Sequence, residues 1–385
     1  MAQNIERSQH LFPDKAALIF EGQSFTYREL NEMSNRVANG LSKLGISGGN
    51  RIALFLPNIP AFVAAYLGIQ KIGAVPVSIN SALKAEEVKY IIEDSGALIL
   101  ITTEVLRTNI PIEEISQLKQ ILIAEGEAKA DRALSELMAN ASPTALAIEM
   151  APDDPAALLY TSGTTGFPKG AILSHRNLVS NIRTFVDTVG THPDDRILLF
   201  LPASHSYGQT STLFPCLEVG STLVLHRELE IESILKSIAD NGVTTFFGVS
   251  TIYTLLYEKA STEQMRTIRR YVSGGAPLPL ELAKKWRDKF GVSINEEYGS
   301  TETSLICFNQ TYQPGSVGSV LEGVEVKLID SETGQEVKPG ELGEVLVRGP
   351  NVMLGYWNCP AETAQVLKEG WFHTGDIGKL LRKQS

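Results

Sequence analysis

One stretch of this sequence brings together the residue types that hold a chain of phosphates. Tyr160-Thr161-Ser162-Gly163-Thr164-Thr165-Gly166-Phe167-Pro168-Lys169-Gly170 lies between two apolar runs, Ala157-Leu158-Leu159 and Ala171-Ile172-Leu173. Glycine lets backbone N–H groups approach an anion, the hydroxyls of serine and threonine add donors, and Lys169 adds a point charge. The spacing is not that of a P-loop, because Pro168 stands where its second glycine would have to be. A Gly/Ser/Thr-rich stretch can be a plain loop. Here the order of residues, strand then hydroxyls then lysine then strand, points to a polyphosphate cradle.

Four further segments carry chemistry-bearing side chains: Pro202-Ala203-Ser204-His205-Ser206-Tyr207-Gly208, Ser273-Gly274-Gly275-Ala276-Pro277-Leu278, Glu297-Tyr298-Gly299-Ser300-Thr301-Glu302 and Gly370-Trp371-Phe372-His373-Thr374-Gly375-Asp376. Taken singly each has an ordinary explanation. Glu302 would be a solvated surface charge, Tyr298 a core aromatic, Asp376 a turn residue and His205 a structural histidine. Together, and in this order with residues 160–170, they resemble the motifs of the adenylate-forming superfamily, which includes acyl-CoA synthetases, luciferases and peptide-synthetase adenylation domains. The resemblance runs over residues 160–376 by motif and more loosely, by pattern, before them.

The resemblance implies activation of a carboxylate by Mg-ATP to an acyl-adenylate, with release of pyrophosphate and later transfer of the acyl group to a thiol of CoA or of a phosphopantetheine carrier. It implies that Thr161, Ser162, Gly163, Thr164, Thr165, Gly166 and Lys169 hold the β- and γ-phosphates. Glu302 would bind Mg²⁺, which prefers oxygen ligands and bridges phosphates, and Thr301 would donate to the α-phosphate. Tyr298, within Glu297-Tyr298-Gly299, would stack on adenine against Gly274-Gly275-Ala276-Pro277, and Asp376 would accept from the ribose hydroxyls. His205 would be an aromatic gate beside the reacting carboxylate, with Thr301, Glu302, His205 and Lys169 forming the catalytic set. The acid would lie against Tyr207, Gly208, Phe247, Gly248 and Ser250. Joining two anions needs supplied positive charge and positioning, which is what this set offers.

For the acid itself the resemblance favours a fatty acyl chain, because Phe246-Phe247-Gly248 and the glycine turn offer apolar walls with little bulk. An amino acid would lack a counter-ion, since residues 204–209 contain no acid. An aryl acid and a non-catalytic nucleotide- or acyl-adenylate-binding module stay open. Relatives continue past Thr-Gly-Asp into a small C-terminal domain that carries a further lysine. The sequence ends at Ser385, so the expectation is a large domain without that lid, excised or truncated, slow in adenylation and nearly without thioester formation.

These residues need elements to position them. Ala17-Leu18-Ile19-Phe20, Ile52–Phe55, Ala74–Val77, Leu98–Ile101 and Ile121–Ile123 read as buried strands. Thr26 and Glu29 form a capping-box pattern ahead of Leu30, Met33, Val37, Leu41 and Leu44 on one helical face. After Asp153-Asp154-Pro155 the alternation of strand and helix resumes through Ile197–Phe200, Leu223–Leu225, Thr245–Val249 and Tyr271-Val272. From about Ser316 the runs become period-two and glycine-punctuated, which is antiparallel β. The expected fold is therefore α/β, with two βαβ lobes of mostly parallel sheet (approximately residues 1–150, with the chain crossing between lobes, and 151–315), a small antiparallel barrel-like subdomain (316–376) and a hinge remnant (377–385).

Composition sets the outer bounds. The 385 residues are 43% hydrophobic and 20% charged, which suits packed domains and excludes wholesale disorder. A net charge of −10 disfavours nucleic acid and anionic lipid as partners. Cys216, Cys307 and Cys359 are far apart and odd in number, so neither a disulfide framework nor a structural zinc is expected. The apolar stretch Ile59–Ile79 contains Pro60, Pro76 and Gln70-Lys71 and reads as a buried helix followed by a strand, not a membrane span. A cytoplasmic location is the expectation.

Overall fold

The computed structural model describes residues 2–108, 110–161 and 167–381. Among these, two large sheets and one small sheet carry the fold. The eight-stranded sheet runs, in spatial order, Gly355–Tyr356, Lys169–Ser174, Pro155–Thr161, Val75–Ile79, Arg51–Phe55, Ile99–Thr103, Gln120–Glu125 and Arg132–Ala133. Its pairs are parallel except for the two made by Lys169–Ser174 with its neighbours. The nine-stranded sheet has a parallel centre, Ile294–Ser300, Arg270–Ser273, Thr245–Gly248, Arg196–Leu199, Thr222–Leu225 and Ala16–Phe20, with antiparallel strands added at both edges.

The sheets do not change over at residue 150. The N-terminal strands Ala16–Phe20 and Gln23–Thr26 pair into the second sheet, whereas Pro155–Thr161 and Lys169–Ser174 belong to the first. Strand pairing is decided by which apolar faces meet, and the Ala/Ser/Pro-rich stretch near residue 150 carries no information about that. The third sheet is antiparallel as its period-two pattern predicts: Glu325–Ile329, Leu342–Arg348, Trp371–Lys379 and Leu367–Lys368 lie side by side as a small four-stranded sheet.

The helices follow their sequence signals. Thr26 caps Tyr27–Lys43: its hydroxyl accepts from the Glu29 N–H at 3.1 Å, and the Glu29 carboxylate accepts from the Thr26 N–H at 2.7 Å. The apolar face of that helix, with Leu30, Val37 and Leu41, is buried. Pro60–Lys71 begins on proline and is buried on nearly every side, the all-round apolar helix that Ile59–Ile79 predicts, with Val75–Ile79 following as a strand. One large core joins residues of both large sheets with these helices, and a second lies behind the first sheet. No helix among the described residues is long and apolar enough to cross a membrane.

Candidate functional site

The loops at the carboxyl ends of both parallel sheets meet over a cavity of about 450 Å³. In open α/β sheets this is where side chains and backbone groups from several strands converge without belonging to the core. Well-separated stretches of chain line it, among them Ser78–Asn80 from the first sheet, Glu87 and Ile91 of the helix Ala85–Ser95, Thr161 and Pro168, Ser204–Tyr207, Gly275, and Glu297 with 299–302.

Residues Ser162, Gly163, Thr164, Thr165 and Gly166 lie outside the described residues. Their two flanks are in place: Pro155–Thr161 and Lys169–Ser174 pair antiparallel, with Thr161 opposite Lys169. Thr161 and Pro168, at the ends of those flanks, line the cavity. Phe167 stacks on Tyr90 with ring centroids 4.6 Å apart, which ties the loop's exit to the helix Ala85–Ser95.

Thr301 and Glu302 follow the strand Ile294–Ser300, and both line the cavity. The tight return into Ser304–Phe308 depends on Gly299, because a side chain there would run into the Ser304 carbonyl. The Thr301 and Ser206 hydroxyls are 3.2 Å apart. The Glu302 Oε1 accepts from the Tyr356 hydroxyl at 2.9 Å, and its backbone carbonyl accepts from the Met353 N–H at 2.7 Å. Tyr356 in turn lies on the strand next to Lys169–Ser174, with the Lys169 ammonium 5.5 Å from its ring centroid. One tyrosine thus holds the acid of one motif and the lysine of another. Neither Tyr356 nor Ser206 was singled out by sequence; Gly355-Tyr356-Trp357 has the look of packing, and its role depends on what it touches.

Successive side chains on a strand face opposite ways, so Glu297 and Tyr298 serve opposite sides of their strand. The Tyr298 hydroxyl donates to the Asp376 carboxylate at 2.7 Å, which brings the two residues expected at adenine and ribose together from positions 78 apart in sequence. Burial raises the Tyr298 hydroxyl pKa, so it stays a donor. Asp376 sits in the long strand Trp371–Lys379, exposed, with its N–H donating to the Thr374 hydroxyl at 3.0 Å. Gly275, Ala276 and Pro277 form an exposed turn, anchored where the Gly274 N–H donates to the Gly248 carbonyl at 3.2 Å.

His205 stands open to the cavity, and its Nδ1 accepts from the Tyr207 N–H at 3.1 Å. Desolvation by the surrounding protein lowers the imidazole pKa, which keeps the ring neutral. That suits an aromatic gate and not a cationic role. Tyr207 lines the cavity and donates its hydroxyl to the Gly248 carbonyl at 3.1 Å. Gly208 is buried against the Pro202 carbonyl and opens a short π-helical turn, Gly208–Leu213. Phe247 is 1% exposed and packs on Phe185, and neither it nor Gly248 nor Ser250 lines the cavity. Of the three, Gly248 meets the cavity wall through its bond from Tyr207.

Asn58, also missed by sequence, fixes the His205 segment. Buried, it donates to the Leu201 and His226 carbonyls at 2.9 and 3.1 Å and accepts from the Ala203 N–H at 2.8 Å. A lone Asn between Pro57 and Ile59 gives no such signal.

Glu302 keeps carboxylate capacity beyond the bond to Tyr356, and the described residues contain no cluster of three His, Cys, Asp or Glu side chains that could cage a metal. One carboxylate lining the cavity fits Mg²⁺, which takes few protein ligands and completes its shell with phosphate and water oxygens.

Residues 5–357 match the AMP-binding enzyme family. The chain belongs to that family. Among relatives, it is 33% identical to a feruloyl-CoA synthase of Amycolatopsis sp over 382 residues, covering 97% of this chain and 75% of the relative. A long-chain-fatty-acid–CoA ligase of Escherichia coli O157:H7 is 30% identical over 414 residues, covering 97% of this chain and 74% of the relative. The ATP-bound crystal structure of MatB from Rhodopseudomonas palustris superposes with a TM-score of 0.91 at 32% identity, covering 99% of this chain and 77% of that one. The anthranilate CoA ligase AuaEII in complex with anthranoyl-AMP gives a TM-score of 0.92 at 29% identity, covering 98% and 74%. As in other AMP-binding enzymes of known structure, the α/β architecture with its small antiparallel sheet is that of an adenylate-forming N-terminal domain, and the relatives are acid–thiol ligases.

Proposed function

We propose that this AMP-binding enzyme uses ATP to activate a carboxylic acid as an acyl-adenylate, for transfer to the thiol of CoA. A carboxylate oxygen attacks the α-phosphorus, the bond to the bridging oxygen breaks, and pyrophosphate leaves. The convergence of Thr161, His205, Gly275, Thr301 and Glu302 on one cavity carries this reading. Lys169 and the 161–166 loop would hold the outer phosphates. Thr301, kept in register by Ser206, would donate to the α-phosphate. Tyr298 and Asp376 would take the nucleoside, and neutral His205 would border the acid without competing for a proton. Glu302, oriented by Tyr356, would hold Mg²⁺, which neutralises the charge that develops as pyrophosphate departs.

The acid we propose is compact, aromatic or short-chained. Ser78, Asn80, Ser204, Ser206, Thr210 and Ser211 make much of the lining polar, and Phe246 and Phe247 are withdrawn into the core. A fatty acid is the second reading, supported by the likeness to a long-chain-fatty-acid–CoA ligase. A carrier-protein thiol is the alternative acceptor. Carboxylate-dependent ATP–pyrophosphate exchange with benzoate, 4-hydroxybenzoate, 4-coumarate, octanoate and palmitate tests the proposal. Exchange with the first three, lost about 10²-fold or more in Glu302→Ala, is the expected result. Strongest exchange with palmitate would favour the second reading. ATP binding without exchange for any acid would point to a non-catalytic binding module.

A further inference from the structure

Glu297 is set apart from the rest of its motif. It lines the cavity yet is only 7% exposed, on the opposite side of its strand from Tyr298 and Asp376. Its Oε1 accepts from the buried Ser211 hydroxyl at 3.0 Å, whereas its Oε2 has no hydrogen-bond partner among the described residues. The neighbouring Tyr207 hydroxyl donates to the Gly248 carbonyl at 3.1 Å and also approaches the Glu297 carboxyl. Gly274 leaves the room in which the carboxyl sits, since a Cβ there would come within 2.8 Å of the Glu297 Cγ. A buried polar oxygen with no partner costs about 1–3 kcal/mol, which a ligand group can recover.

We propose that Glu297 is a specificity-determining residue: its carboxyl reads a hydroxyl or uncharged amino group carried by the acyl part of the substrate. This rests on the proposed activation of a compact carboxylic acid at the same cavity. Burial pushes the Glu297 carboxyl up to about 8, so near neutral pH it is uncharged. An uncharged carboxyl both donates and accepts, which matches a hydroxyl or an amine and does not require a cation. Ser211, on the turn Gly208–Leu213, fixes the carboxyl's orientation. The apolar analogue of such a substrate leaves Oε2 unpaired, and a site built around a hydrogen bond discriminates more strongly than one built around shape alone.

Matched pairs of acids test this: benzoate against 3- and 4-hydroxybenzoate and 4-aminobenzoate, and hexanoate against 6-hydroxyhexanoate. Binding is measured by calorimetry with a non-hydrolysable ATP analogue, and ATP–pyrophosphate exchange is measured in parallel. A donor-bearing acid is expected to bind about tenfold or more tightly than its parent. That ratio should fall toward one in Glu297→Met and be largely retained in Glu297→Gln, which keeps an acceptor oxygen in the same shape. Equal binding of parent and substituted acids by the wild type overturns the proposal, as does a ratio that survives Glu297→Met. If that variant does not fold, the wild-type ratios alone decide. Selective binding without exchange would uphold the role of Glu297 while refuting the proposed activation, so the two failures are distinguishable.

Discussion

The Tyr356 hydroxyl shows how much a single group can position. Its bond to Glu302 fixes one carboxylate oxygen, and its ring lies under the Lys169 ammonium. Removing the hydroxyl in Tyr356→Phe leaves the ring and frees the acid. On the proposed role of Glu302, the Mg²⁺ concentration giving half-maximal exchange should rise about threefold to tenfold, with the KM for the acid changed much less. An equal change in both would mark Tyr356 as merely structural. Glu297 makes a second prediction at this scale. Its folded pKa of about 8 lies above that of an exposed carboxyl, so between the two values the native state binds the extra proton. Its contribution to stability is therefore greatest at low pH and declines as pH rises from about 4.5 to 8. Glu297→Gln, which cannot ionise, should lose that part of the decline, and denaturant melts at pH 5, 7 and 9 would show it.

Among the elements, the helix Tyr27–Lys43 has its capping box at the position the sequence marks. Thr26→Ala should cost about 1 kcal/mol in urea unfolding, with the site untouched because the cap lies at the far edge strand of the second sheet. The strand Ile294–Ser300 has more exacting duties, sending Glu297 to one side and Tyr298 to the other before turning sharply at Gly299. Gly299→Ala forces a Cβ onto the Ser304 carbonyl, so the turn must shift and Thr301 and Glu302 with it. Exchange activity should fall by more than tenfold while the far-UV spectrum changes little. The alternation of strand and helix, the buried helix Pro60–Lys71 and the antiparallel strands after residue 316 were all legible, because periodicity is a local property. The edge strands Gln23–Thr26 and Gly355–Tyr356 were not, since they are too short to carry a period.

Across the whole molecule, the two large sheets are held at the site by Asn58, which reaches from the end of Arg51–Phe55 to three backbone groups of the second sheet's loops. Gln209 repeats the link, donating to the Ser78 hydroxyl at 3.1 Å and to the Ala203 carbonyl at 2.8 Å. Asn58→Ala would leave those buried groups unpaired at a cost of about 3 kcal/mol, and because they anchor residues 201–205 it should also loosen His205. A fall in melting temperature together with a raised KM for the acid is the expected pair of effects.

The sequence by itself determined the family, the order of the motifs and most of the elements, because these rest on residue types at short spacing. Hydroxyls, glycines and a lysine between two apolar runs specify a loop on a hairpin wherever the hairpin goes. Tertiary structure alone decided which sheet each strand joins, since pairing depends on apolar faces that meet only after folding. It also decided that Tyr356 serves Glu302, that Phe247 is withdrawn from the cavity, and that Glu297 parts from Tyr298. The segment 204–209 contains no acid, yet folding brings Glu297 to Tyr207 from 90 positions away. A carboxyl's surroundings, its pKa and its free oxygen are properties of what packs around it, and no local pattern records them.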